Sequence, residues 1–196
     1  MSWYSLSVLS GLILLPALAL LAGVAWERRR WLSRAPALDW RDPVSGVYSR
    51  NMLLELLCRQ LSLAARLQHS VAVLVVEFDG QHTPAMSQAL AQRLVARVRE
   101  YDLLGQWDEG RFLLVLPDAD VGAALVLAQD LCDGQNRHPP QPGTEPRHAS
   151  VSVGVHARQP ALRDATDELA LSMVAAAQRA LDATRSDGPG RVEVEL

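Results

Sequence analysis

Arg99-Glu100-Tyr101-Asp102 places a guanidinium and a carboxylate three residues apart. A guanidinium clamps a phosphate bidentately, while a carboxylate accepts from N–H groups of a ligand. Each such charge-assisted bond contributes about 1.5–3 kcal/mol. The motif is short, and Arg93 and Arg97 lie just before it. The same two residues at a helix end can equally pair with each other at the surface, which is worth little. Other reactive side chains are sparse. All 19 basic residues are arginine, so chemistry that needs a lysine amine has none. Cys58 and Cys132 are isolated and read as reduced core thiols. His138 and His148 flank a proline-rich loop at 139–146 but lack the partners of a metal site. A net charge of −3 argues against nucleic acid as a partner.

The elements that must hold these residues follow from periodicity. Tyr4 to Trp26 carries no charge and is rich in Leu, Ala, Val and Ile, long enough for a membrane-spanning helix. Trp3, Tyr4 and Trp26 sit at its ends, and Glu27-Arg28-Arg29-Arg30 follows it. Positive charge after the span, and none before it, places the rest of the chain in the cytoplasm of a single-pass inner-membrane protein. A cleaved signal peptide ending near Ala17-Leu18-Ala19 is the weaker alternative, because its positive charge should precede the apolar run. Residues 27–41 form a juxtamembrane connector interrupted by Pro36, whose arginines can also meet anionic headgroups.

Beyond it, residues 49–68 have helical spacing of apolar positions, and Val71 to Asp79 reads as a buried central strand. Helical period returns over 84–100. Residues 105–107 and 112–116 form two short strands around a charged turn, and 119–131 form a helix capped by Asp118 or Asp120. A strand at 150–155, a long helix at 164–185 and a terminal strand at 191–196 complete an α+β domain, a mixed sheet covered by helices. Glu193 and Glu195 are expected on the solvent face of that last edge strand.

Five segments in this order resemble a GGDEF domain, the nucleotidyl-cyclase-like fold of diguanylate cyclases, over 42–196. Asp42-Pro-Val-Ser-Gly-Val-Tyr-Ser-Arg50 is similar to the family's opening "DPLTGLYNR". Glu77-Phe78-Asp79 is similar to its "D-I-D" strand end, and Gln106 to Pro117 to its signature hairpin with the "FxxxLP" exit. Ser150 to Val155 is similar to "TxSxGV", and Ala180-Leu181 with Gly188 to Val192 to the domain's end. The resemblance implies two-metal chemistry on GTP, with glycines that admit the phosphates and acids that hold the cations.

Here the five hairpin positions are Asp108-Glu109-Gly110-Arg111-Phe112. Carboxylates replace both glycines, Gly110 replaces the metal-binding acid, and Arg111 reverses the next charge. Glu77 stands where the family's first metal-binding Asp lies, without a partner acid, and Arg185 replaces a phosphate-contacting Lys. Two-metal phosphoryl transfer needs ligands for its cations. The expectation is therefore a degenerate domain with no catalytic residues, no metal and no cofactor. Arg99 and Asp102 match the family's RxxD site for cyclic di-GMP, while Asp130 falls where a second ligand-binding arginine is expected. The expected protein is a membrane-tethered cyclic di-GMP receptor controlling exopolysaccharide or other surface machinery. A ligand-independent scaffold of an inner-membrane complex is the alternative. Protein partners are then that complex, another GGDEF-type domain, or a second copy in a homodimer.

Overall fold

The computed structural model describes residues 40–136 and 150–195. The expected membrane span at 4–26, most of the connector at 27–41 and the proline-rich loop at 139–146 lie outside them. Among the described residues no helix is long and apolar enough to cross a membrane.

Asp42 organises the turn that opens the domain. Its Oδ2 accepts from the N–H groups of Val44 (3.1 Å) and Ser45 (2.6 Å) and from the Ser45 hydroxyl (2.7 Å). Helix α1 (Arg50–Leu67) follows, burying Met52, Leu53, Leu57, Leu61, Ala64 and Ala65 at helical spacing. It stops at Gln68, whose backbone is left-handed (φ 58°). Strand β1 (Val71–Phe78) comes next. Helix α2 (Pro84–Val95) is started by Thr83, which accepts from the Met86 N–H (3.3 Å), with Pro84 in the first turn.

Periodicity carries a helix to residue 100, but α2 ends at Val95 and residues 96–102 form turns. Asp102 shapes the last of these turns. Its Oδ2 takes the Arg99 N–H (2.7 Å), a local bond that competes with continued helix.

The hairpin consists of β2 (Leu103–Asp108) and β3 (Arg111–Pro117), each longer than the apolar alternation suggests. Helix α3 (Val121–Asn136) begins at Asp120, whose Oδ1 accepts from the Ala123 N–H (2.8 Å). Asp118 sits at φ 52° before it and is not the cap. Strand β4 (Val151–Arg158), helix α4 (Thr166–Asp187) and strand β5 (Val192–Glu195) complete the unit.

The sheet runs β2-β3-β1-β4-β5, antiparallel except for the parallel pair β4–β5. This is the mixed sheet of the expected α+β class. Strand β1 explains why its sequence shows no polar alternation, because both of its faces are covered. Ala72, Leu74, Val76 and Phe78 pack with Leu90 and Leu94 of α2 and Ala124 and Ala128 of α3. Val71, Val73 and Val75 pack with Leu53, Leu57 and Leu61 of α1 and with Met173 and Ala177 of α4. Each fully buried aliphatic side chain of this kind contributes about 1.5–3 kcal/mol relative to exposure.

Beside β4 the helix comes very close. A Cβ on Gly154 would stand 2.0 Å from the Ala177 carbonyl oxygen and 2.4 Å from the Leu181 nitrogen. Only glycine admits α4 at this distance. On the far side, Tyr48 extends the edge of β2: its N–H donates to Leu104 (3.1 Å), and its carbonyl accepts from Gln106 N–H (2.8 Å).

Candidate functional site

Two places gather the residues singled out in the sequence, one at each end of β3. The first is the hairpin. Glu109 and Gly110 form its tight turn, with Asp108 paired to Arg111 and Gly110 at φ 71°. Asp108 Oδ1 accepts from the Glu109 N–H (3.0 Å), so this carboxylate folds onto its own turn. Behind the turn, Trp107 is buried and the Arg50 guanidinium lies 4.3 Å from its ring centroid. Phe112, the last of the five hairpin residues, is fully buried on the α2/α3 face.

Arg111 reaches across from β3 to the neighbouring β1, where its Nε donates to Glu77 (2.9 Å). Arg185, near the end of α4, donates to the same carboxylate (3.1 Å) and also pairs with Asp182 (3.2 Å). The sequence shows Glu77 as an acid without a partner acid. The fold gives it two guanidiniums.

Asp79 is committed elsewhere. One oxygen accepts from the buried Ser152 hydroxyl (2.5 Å) and the other from the Gly190 N–H (2.7 Å), which fixes the turn before β5. Among the described residues no group of three or more His, Cys, Asp or Glu is placed to hold a metal ion. His82 closes the space between the loop after β1 and the hairpin. Its ring stacks on Phe78 (centroids 5.4 Å apart), and a Cβ on Gly110 would stand 2.4 Å from it. Nothing in the sequence signals this contact.

The second place is a cleft of about 290 Å³ at the other end of β3. Arg97, Arg99 and Asp102 line one side, Leu116 and Pro117 another, and Ala123, Val126, Leu127 and Asp130 of α3 a third. Arg99 and Asp102 thus meet in one cavity, though not as a surface ion pair. Asp102 bonds the Arg99 backbone, while the Arg99 guanidinium donates to the Tyr101 hydroxyl (2.8 Å) and lies over its ring. Burial raises the Asp102 carboxyl above its ordinary value, opposed by the Arg99 N–H and the Arg99 charge. Asp130 pairs with Arg97, a contact spanning 33 positions that sequence spacing does not reveal.

The cysteines are peripheral to both places. Both are free thiols, and burial pushes Cys132 up to about 12. Glu195, on the exposed side of β5 as expected, takes a bidentate bond from Arg179 (2.9 and 2.5 Å).

The fold has many solved relatives. The GGDEF domain of DgcB from Caulobacter crescentus, crystallised with c-di-GMP, superposes with a TM-score of 0.68 at 15% identity, over 79% of this chain and 92% of that one. The diguanylate cyclase SiaD from Pseudomonas aeruginosa, in complex with its activator SiaC, aligns with a TM-score of 0.66 at 25% identity, over 98% and 76%. The FimX GGDEF domain from the same organism gives 0.67 at 18% identity, over 80% and 99%. No curated protein matches the chain significantly. The model of the family described as "Diguanylate cyclase, GGDEF domain" matches residues 85–190, more than half of the 196 residues, and spans both the hairpin and the cleft. On that match, and on a fold shared with solved members, the chain belongs to the GGDEF domain family.

Proposed function

We propose that this chain is a catalytically inactive GGDEF domain that reads cyclic di-GMP through Arg99 and Asp102, tethered to the inner membrane by residues 4–26. The observation that carries the receptor reading is the cleft itself. It brings Arg99, Asp102 and a further arginine, Arg97, to one rim beside an apolar wall. Guanidiniums suit phosphodiester oxygens and the guanine edge, and the wall suits a ring face.

Loss of catalysis is supported by the charge pattern at the hairpin. Metal-dependent phosphoryl transfer would require Glu77 and the hairpin to offer oxygens to cations. Glu77 is held by Arg111 and Arg185, both oxygens of Asp79 are engaged, and Gly110 supplies no ligand. The residues present do not fit a two-metal site. The DgcB relative binds c-di-GMP, and the SiaD relative works with a protein activator. A tethered receptor that passes ligand occupancy to exopolysaccharide or other surface machinery accords with both.

Calorimetry of cyclic di-GMP with the purified full-length chain tests the reading. Binding heat that disappears in Arg99→Ala is the expected result. Absence of heat in the wild type would favour the ligand-independent scaffold, a reading supported by Asp102 already bonding its own turn. Synthesis of cyclic di-GMP from GTP and Mg²⁺ would refute the loss of catalysis.

A further inference from the structure

We infer that Asp130 is a latch on this cleft: it holds the Arg97 guanidinium until an anionic guanine nucleotide takes its place. The inference rests on the receptor reading of the previous section and assigns the second cationic ligand within it. Arg97 and Asp130 come from the turn after α2 and from α3, so their ion pair ties two walls of the cleft together. With Arg97 and Arg99 facing Asp102 and Asp130, the rim carries two positive and two negative groups. A phosphodiester entering it meets no net attraction while Asp130 keeps its partner.

The two carboxylates differ in what binds them. Asp102 accepts a backbone N–H at 2.7 Å and shapes the turn that presents Arg99. Asp130 contacts a mobile type of side chain, and both members of its pair are about half exposed, at 48% for Arg97 and 41% for Asp130. An ion pair exposed to that degree is held weakly by water-screened attraction, and phosphate accepts the same charge-assisted bonds from a guanidinium as a carboxylate does. A phosphodiester held at the same time by Arg99 can therefore compete with Asp130 for the Arg97 guanidinium. The apolar side of the same cleft, with Ala123, Leu127 and the 68% exposed Val126, lies open to a base ring.

The test is calorimetric titration of cyclic di-GMP into the full-length wild type, Asp130→Asn, Arg97→Gln and the double variant, with thermal melting to confirm folding. Asp130→Asn is expected to bind about five- to tenfold more tightly than wild type. Arg97→Gln binds more weakly than wild type, and adding Asp130→Asn to it restores nothing, because the two act through one contact. Asp130→Ala serves as a second variant, since an asparagine can still hydrogen-bond Arg97. If tightening persists in the Arg97→Gln background, Asp130 acts through general charge and the latch is overturned. If Asp130→Asn and Asp130→Ala leave affinity unchanged while Arg99→Ala abolishes it, the latch fails and the receptor stands. If neither wild type nor any Asp130 variant binds, the receptor reading falls and takes the latch with it.

Discussion

The acid on β1 shows what a single residue's partners decide. In the sequence, Glu77 is an isolated carboxylate at a strand end. Its partners, Arg111 and Arg185, lie 34 and 108 positions away, so no local spacing exposes them. The hairpin substitutions themselves were legible, because Asp108, Glu109, Gly110 and Arg111 could be read one by one against a familiar pattern. What they turned to could not. Glu77→Ala leaves the Arg111 guanidinium, 25% exposed, without its anion. The expected cost is about 1–3 kcal/mol in urea unfolding, the range for an unsatisfied partly buried polar group. Replacing both members, Glu77→Leu with Arg111→Leu, is expected to recover part of that loss, since an apolar pair carries no stranded charge. A double variant no more stable than Glu77→Ala alone would show that the pair is incidental to stability.

At the scale of elements, periodicity located every helix and strand among the described residues, and it failed at ends. The apolar spacing of helix α2 continues through Val98, while the helix ends at Val95 in a tightened turn in which the Arg97 and Val98 N–H groups both donate to Leu94. Strand β5 lies at the sheet edge, as its polar alternation predicts, and there Glu195 pairs with the exposed Arg179.

That bond, with the Arg179 and His156 charges, holds the Glu195 carboxyl below its ordinary value of about 4.5. A depressed carboxylate stabilises the fold above its unfolded value, and the contribution is lost as pH falls through the lowered one. Amide NMR signals of Val192–Glu195 should therefore shift or broaden on acidification below that value. In Arg179→Met the same change should begin at higher pH, and an unaltered profile would remove the clamp from the explanation. Strand β4 makes a stronger demand. Gly154→Ala pushes a methyl into the α4 backbone, where no side chain can rotate away. Overpacking against a fixed backbone should cost about 1–3 kcal/mol or more in unfolding free energy, measured by urea titration.

Across the whole molecule, β3 joins the two candidate places. It begins at Arg111, bonded to Glu77, and ends at Pro117 in the cleft wall, a span of about 20 Å at strand rise. Thermal melting reads both ends at once, because a ligand that binds only the folded state raises the transition temperature. Cyclic di-GMP is expected to raise it, and GTP with Mg²⁺ to leave it unchanged. A rise of several degrees with Mg²⁺ and GTP would mean that the hairpin still takes a metal-bound nucleotide. The backbone of Tyr48 on the outer side of β2 has a different consequence, for self-assembly. Those bonds occupy Leu104 and Gln106, the middle of an edge that could otherwise template another chain. The opposite edge is β5, only four residues long, where the Glu193 carboxylate opposes stacking of one copy on another. With one border sealed and the other short and acidic, the sheet is poorly suited to grow from copy to copy.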